Sequence, residues 1–332
     1  MQLLVTGCAG FIGSHLTRRL LSHGHCVVGF DGFDETLYPA AQHRAQLAPL
    51  LQHPNFRFTE GDLLTSRQLD ALCQGTCGVF HLAALAGVRP SLGQAERYMQ
   101  VNVVGTQRLL GLCQKHGVRR IVFASSSSVY GAQTRGPFSE EDPATEPVSP
   151  YAASKRAAEL VCTTHAALYG ASIAALRFFT VYGPNQRPDM AIAKFARKML
   201  RGETIELHGD GTSARDYTYI DDIVDGIVAA LAYTEREPSG CRAFNLGSKQ
   251  PVPLLELVSL LEQALGCKAN ISWTAPQPGD VPMTFAQLDR SFAELHYRPK
   301  VSLPEGLLRY AEFLRQNPTV LDPPHDSLAP AP

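Results

Sequence analysis

Tyr151 and Lys155 stand four residues apart in "SPYAASK", Ser149 to Lys155. On a helix that spacing puts both side chains on one face. A free tyrosine, with a pKa of about 10, is a poor base at neutral pH. An ammonium beside it stabilises the phenolate and lowers that value. Just ahead runs "FASSSSVYG", Phe123 to Gly131, a string of hydroxyls at the end of an apolar strand. A serine there can orient a substrate hydroxyl while the tyrosine takes its proton. A third group able to do chemistry is Arg187 in "YGPNQRPDMA", Tyr182 to Ala191. Pro188 removes a backbone donor and biases its neighbour away from helix. Arg187 is therefore expected on a fixed loop, ahead of a helix starting near Asp189. Its guanidinium either grips an anion in a site or pairs with Asp189 at the surface.

These groups need elements to hold them, and the tyrosine needs more positive charge. "TGCAGFIGSH" sets Gly7, Gly10 and Gly13 three apart, between a strand and a helix. Gly7 permits a tight turn, Gly10 lets backbone approach a pyrophosphate, and Gly13 lets the helix pack against the strand. The helix N-terminus then faces the phosphate charge. Asp31 ends the second strand, 18 residues past Gly13. A carboxylate there can accept both adenosine ribose hydroxyls and repels a 2′-phosphate. With no arginine following it, NAD is favoured over NADP. The positive charge of bound NAD⁺ would add to that of Lys155 in lowering the Tyr151 pKa. "GDLL" offers Asp62 to the adenine edge, although the same aspartate could simply order its loop.

Around these motifs, apolar runs alternate with helical patterns: "LLVTG", "CVVGFD", "FRFTEGD", "GVFHLAAL", "RIVFASS" and "IAALRFF". Repeated βα units with continuous apolar strands predict an α/β fold, a doubly wound parallel sheet of the Rossmann type covered on both faces. Past Thr180 the rhythm loosens. Short strands ("TIELHG", "RDYTYI", "AFNLG", "ANISW") mix with helices near 191–201, 222–232, 254–265 and 303–315. This reads as a smaller C-terminal α/β lobe. The expected division is a nucleotide-binding domain over 1–180, rejoined by segments near 216–247, and a substrate lobe over 181–316. The proline-rich residues 317–332 are expected to be a disordered tail.

The chain has 332 residues and a formal net charge of −1. That length gives ample core, and the absence of a basic run argues against nucleic acid as a partner. The eight cysteines lie scattered in apolar segments. Cys73 and Cys77 have no second pair to complete a zinc site, so no metal is expected, and reduced thiols in a cytoplasm fit best. "MQLLVTG" enters a strand without the charged and apolar regions of a signal peptide, and no apolar run reaches membrane-spanning length.

The chain resembles the extended short-chain dehydrogenase/reductases, and among them the nucleotide-sugar 4-epimerases, over nearly all of residues 1–316. The resemblance rests on "TGCAGFIG", "DLL", "HLAALAGVRPS", "VNVVGT", "SSSSVYG", "YAASK", "LRFFTVYGPNQRPDM", "DGTSARDYTYIDD" and "QPGDV". "AGVRPS" and "VYGPNQRPDM" look most like UDP-glucuronate 4-epimerases. The resemblance implies a tightly bound NAD, a UDP-sugar substrate and a homodimer built on helices near 94–115 and 150–169. It makes Tyr151 the base and Lys155 its partner on the nicotinamide ribose. It sets Ser126 at the sugar O4, with Ser127 and Ser128 as neighbouring alternatives. It extends the NAD contacts to Phe11, Ile12, Leu63, Ala83, Asn102 and Phe178. Arg215 and Asp280 resemble contacts to the UDP diphosphate and ribose. Gln277 departs from the arginine that many galactose-type epimerases carry there, which counts against a plain glucose/galactose substrate.

A glucuronate carries a C6 carboxylate, and a planar guanidinium matches a carboxylate fork. Thr180 resembles a substrate-facing position, and Arg89 is a second candidate cation for substrate or for an NAD phosphate. The 4-keto form of a uronate is a β-keto acid, which loses CO₂ when its carboxylate bond aligns with the carbonyl π system. Arg187, Thr180 and Ser128 are expected to hold the carboxylate out of that alignment. A 4,6-dehydratase would need acidic residues in the serine motif, and "SSSSVYG" has none. UDP-glucose 4-epimerase is the leading rival, ahead of a UDP-glucuronate decarboxylase and a catalytically silent NAD sensor.

Overall fold

Apolar runs bounded by glycine and aspartate become the strands of one parallel sheet in the computed structural model, which describes residues 1–37, 39–133, 136–275 and 281–321. β1 (Gln2–Thr6) turns into α1 (Phe11–Ser22), β2 (Cys26–Asp31) leads to α2 (Ala40–Leu51), and β3 (Phe56–Glu60) leads to the short α3 (Gln68–Cys73). β4 (Gly78–His81) is followed by α4 (Val88–Leu92), α5 (Ala95–Met99), a π-helical turn and α6 (Gly105–Lys115). β5 (Arg120–Ser126) runs into a 3-10 turn over Ser127–Tyr130, then come α7 (Pro150–Tyr169), β6 (Ser172–Phe178) and β7 (Thr180–Tyr182). The remainder is α8 (Ala191–Leu200), β8 (Thr204–His208), β9 (Ala214–Tyr219), α9 (Ile220–Arg236) and β10 (Gly240–Leu246), then β11 (Pro251–Pro253), α10 (Leu254–Leu265), β12 (Asn270–Thr274), β13 (Met283–Thr284), α11 (Asp289–Glu294) and α12 (Leu303–Gln316).

The large sheet has seven strands in the order β10-β6-β5-β4-β1-β2-β3. Every neighbouring pair is parallel. The chain winds one way from β1 to β3 and the other way from β4 to β6. The crevice at that reversal, between β1 and β4, is where such sheets bind ligands. β4 and β6 are buried along their whole length, as strands covered on both faces must be. One apolar cluster joins α1 and α9 to one face through Leu16, Leu20, Ile223 and Ile227. The other joins α6 and α7 to the opposite face through Leu109, Leu110, Ala158 and Cys162. β10 comes from the C-terminal half of the chain yet closes the large sheet at its edge. β9 stays outside it and pairs with β7, β11 and β13.

Local chemistry sets the ends of the elements that matter for function. Ser149 caps α7 by accepting a bond from Ala152 N at 3.1 Å, and Pro150 occupies the first turn, where no donor is lost. The helix expected from Asp189 starts at Ala191 instead. A turn closed by Met190 N on Arg187 O, at 3.2 Å, keeps residues 187–190 outside it. The tail begins ordered: Pro318–Leu321 form a 3-10 turn, with Val320 N on Asn317 O at 3.0 Å. Residues 322–332 lie outside the described residues. Among the described residues no helix is long and apolar enough to cross a membrane.

Candidate active site

The carboxyl ends of the sheet strands open into a cavity of about 1330 Å³. That exceeds the roughly 300–1,000 Å³ of a pocket for one drug-sized ligand and leaves room for two nucleotides end to end. Of the described residues nominated from sequence, all but Asn102 line it. Asp280 and Gln277 lie outside the described residues.

At one end, α1 points its first turn into the cavity. Its cap is Gly10, in extended conformation, and no side chain closes the helix N-terminus. The turn is tight: a Cβ at Gly13 would sit 1.9 Å from Gly7 O, so only glycine lets helix and turn meet. Asp31 accepts Ala9 N and Phe33 N, each at 2.9 Å, one on each carboxylate oxygen. It thus braces the glycine turn and caps its own loop, with Gly32 N as a further donor. Burial raises its pKa against the pull of those backbone donors. Asp62 holds Leu64 N, Thr65 N and the Thr65 hydroxyl through Oδ1. Asn102 sits apart from the cavity. Its amide accepts Leu85 N at 2.8 Å and donates to Leu85 O and Ser154 Oγ, each at 2.9 Å. A short amide with those three partners ties the loop after β4 to α7.

At the centre, β5 ends at Ser126, and α7 brings Tyr151 and Lys155 to it. Ser126 Oγ accepts Ser128 N and donates to Ser128 Oγ, both at 3.1 Å, and its hydroxyl also meets the Tyr151 phenol. Lys155, 4% exposed, donates from Nζ to Ala124 O at 2.8 Å and lies 5.3 Å from the Phe123 ring centre. Burial pushes its ammonium down to about 8, opposed by Cys162 and Glu159. Burial raises the Tyr151 phenol, while Ser126 and the Arg187 charge pull it back. Tyr98, its hydroxyl on Ala86 O at 2.7 Å, sets its ring edge-on to Tyr151 at 6.2 Å. A phenol in this setting needs one more nearby cation to ionise at neutral pH.

Arg187 pairs with Asp189, as one of the two expectations had it, and faces the cavity while doing so. Its Nε and Nη2 bond Asp189 at 3.0 and 2.6 Å, and it also lines the cavity. Only 18% of its side chain is exposed. A Cβ on Gly87 would come within 3.1 Å of Nη2, so the "AGVRPS" loop abuts the guanidinium closely. Asp189 therefore holds one edge of the fork in a set orientation. Ser127, Ser128, Thr180 and Arg89 line the same region. Arg215 lines the far end, with Nη1 on Ala214 O at 2.9 Å. Lys194, Glu206 and His208 also line that end and were not nominated from sequence. They belong to no motif, and only the packing of α8 against β8 brings them there.

Sheet order, glycine turn and tyrosine–lysine helix together define an extended short-chain dehydrogenase/reductase. More narrowly, the chain belongs to the NAD dependent epimerase/dehydratase family, whose model matches residues 3–247. It is 41% identical to UDP-glucuronate 4-epimerase 4 of Arabidopsis thaliana, over 94% of this chain and 75% of that protein. It is 38% identical to the UDP-glucuronate 4-epimerase of Thermodesulfobacterium geofontis, over 95% and 96% of the two chains. The crystal structure of UDP-glucuronic acid 4-epimerase from Bacillus cereus, in complex with UDP-glucuronic acid and NAD, is similar with a TM-score of 0.90 and 38% identity, covering 95% of this chain and 99% of that one.

Proposed function

We propose that this chain interconverts UDP-glucuronate and UDP-galacturonate by inversion at C4. The observation that carries this is the Arg187 guanidinium, held by Asp189 in the cavity that also holds Ser126, Tyr151 and Lys155. The residues around the glycine turn suit NAD: a helix N-terminus without an acidic first turn for the pyrophosphate, and the Asp31 carboxylate at the end of β2 for the ribose. Bound NAD supplies a hydride acceptor and then a hydride donor at C4. Ser126 orients the O4 hydroxyl and Tyr151 takes its proton, later returning it to the inverted oxygen. Lys155 lies one helical turn beyond Tyr151, and its ammonium stabilises the phenolate. Arg215, at the far end, is assigned to the UDP diphosphate, so the nucleotide stays anchored while the keto sugar turns over. Arg187, Thr180 and Ser128 hold the C6 carboxylate out of line with the C4 carbonyl, which protects it from loss as CO₂.

The direct test is incubation of the purified protein with UDP-glucuronate and, in parallel, UDP-glucose, with products resolved by NMR. UDP-galacturonate as the main product is expected. Faster conversion of UDP-glucose would move the assignment to a hexose epimerase, and UDP-pentose with CO₂ would move it to a decarboxylase.

Two further outcomes follow from the site. Protein stripped of cofactor is expected to regain activity with NAD and at most about a tenth of it with NADP, since Asp31 would face the 2′-phosphate and like-charge juxtaposition costs several kcal/mol. Equal reactivation by both would remove this role from Asp31. The rate is also expected to fall as pH rises through about 8, where Lys155 loses its proton. A pH profile flat to pH 10 would show that the ammonium is not required.

We also assign the protein to the cytoplasm, as a homodimer formed by the α5–α6 and α7 faces. Val104, Leu160 and Leu168 on those faces are exposed in the single chain. Sedimentation at the monomer mass would sink the dimer.

A further inference from the structure

Directly behind the catalytic strand end lies a buried charged group that the chemistry described above does not use. Ser125, Arg177 and Asn245 are register partners on β5, β6 and β10, forming a row across three strands, one residue below the row of Ser126 and Phe178. Over this row stands Glu159, on the same stripe of α7 as Tyr151 and Lys155 and one turn past the lysine. Ser125 Oγ donates to Glu159 Oε1 at 2.5 Å. Arg177 grips the same carboxylate with Nε on Oε1 and Nη2 on Oε2, both at 2.9 Å. Arg156 adds a bond to Oε2, also at 2.9 Å. Arg177 lies 4.8 Å from the centre of the Tyr130 ring, and Tyr130 donates to Asn245 at 2.6 Å. Glu159 and Arg177 are each 3% exposed.

We propose that Glu159 is a positioning residue for the epimerisation: through Ser125 it ties the strand end that carries Ser126 to the helix that carries Tyr151 and Lys155, with Arg177 as its counter-ion. A buried pair is weak evidence of added stability, because desolvation offsets most of its attraction. This one is better explained by what it aligns. A single carboxylate reaches from α7 to both β5 and β6, so strand end and helix cannot slide past each other without breaking charge-assisted bonds. That keeps the serine hydroxyl against the phenol, where small errors of placement cost rate.

The charge also acts on Lys155. Besides Glu159, the groups facing that ammonium are Cys162 on its own helix, the Phe123 ring and the Ala124 carbonyl on β5, and His81 on β4. Burial and the lysine charge hold His81 neutral, down to about 3, and burial keeps the Cys162 thiol protonated. Glu159 is thus the ionised anion among these, and it supports the protonated lysine. Neutralising it lowers the Lys155 pKa, so the alkaline fall in activity moves to lower pH.

The inference rests on the epimerase reading, and its test uses the full chain with bound NAD. Ser125→Ala removes the strand tether and leaves the buried ion pair intact. It is expected to lower kcat about three- to tenfold, as loss of one hydrogen bond to a charged partner does when only part of it bears on the transition state. KM for UDP-glucuronate, NAD content and melting temperature stay near those of wild type. Glu159→Gln is expected to lower kcat further and move the alkaline limb down by about one pH unit. Should Glu159→Gln fail to fold, Ser125→Ala still decides. Wild-type kcat in Ser125→Ala, or a loss of kcat matched by lost NAD and a lower melting temperature, overturns the positioning role. An unmoved alkaline limb in folded Glu159→Gln overturns the electrostatic half. Wild-type protein that does not turn over UDP-glucuronate at all sinks the epimerase reading itself, whereas a variant equal to an active wild type sinks only this inference.

Discussion

Tyr151→Phe is expected to lose about 10²–10⁴-fold in turnover, the usual contribution of a positioned general base. The ring is kept, so its edge contact with Tyr98 survives, while the hydrogen bond to Ser126 goes with the hydroxyl. Substrate affinity and NAD content are therefore expected to stay near those of wild type. The direction follows from the electrostatics of the site. Burial raises the phenol, and Ser126 and the Arg187 charge oppose that rise. On the proposed mechanism Lys155 and the cofactor charge are what bring the phenolate within reach, and phenylalanine has nothing to ionise. The measurement is kcat for UDP-glucuronate alongside substrate binding by calorimetry. Near-normal turnover would remove Tyr151 from the role of base, and a parallel loss of binding would point to a collapsed site.

Arg187→Ala is expected to damage UDP-glucuronate turnover far more than UDP-glucose turnover. One hydrogen bond to a charged group contributes roughly 1.5–3 kcal/mol, so the preference for the uronate falls by about one to two powers of ten. Asp189 sharpens this expectation. In the intact protein it holds the Nε edge of the guanidinium, and without Arg187 it leaves a bare carboxylate facing the substrate's own. Like charges then add to the lost attraction. The C6 carboxylate is also free to rotate into line with the C4 carbonyl, so CO₂ and a UDP-4-keto-pentose are expected from the variant and not from wild type. Rates on both sugars, with evolved CO₂, separate the possibilities. Equal losses for both substrates would indicate a damaged loop, and no change in either would make the Asp189 pair purely structural. Arg187→Ala/Asp189→Ala tells the two charges apart, since it removes the repulsion as well as the grip.

Much of this was legible because it is local. The glycine turn and the four-residue spacing of Tyr151 and Lys155 are each written within about ten residues, and backbone geometry does the rest. The alternation of apolar runs announced a parallel sheet for the same reason. What could not be read depends on distant partners. Whether Arg187 served a site or a surface pair looked like a choice, because a linear string does not say which way Asp189 holds a guanidinium. The bonds of Asn102 to Leu85 and Ser154 span 17 and 52 residues, so nothing local announces them. Lys194 and Glu206 reach the cavity only through the packing of α8 on β8. Glu159 stands in "KRAAEL", where it looks like any solvent-facing helical glutamate, until β6 places Arg177 beneath it.

The late return of β10 bears on how the molecule is made. β6 pairs with β10 along its whole length, from Ser172 against Gly240 to Phe178 against Leu246. During synthesis the first six strands leave the ribosome well before β10 does. Until then β6 is an apolar edge with a row of open backbone donors and acceptors, the kind of template on which other chains assemble. At roughly 5–20 residues per second, the gap between Phe178 and Leu246 lasts about 3 to 14 seconds. In that interval the nascent sheet is most open to mispairing and to chaperone capture. Asn245, which receives the Tyr130 hydroxyl, arrives with the last strand. The bracing behind Ser126 is then completed only when the edge is sealed, so a truncated product cannot present a finished catalytic strand end.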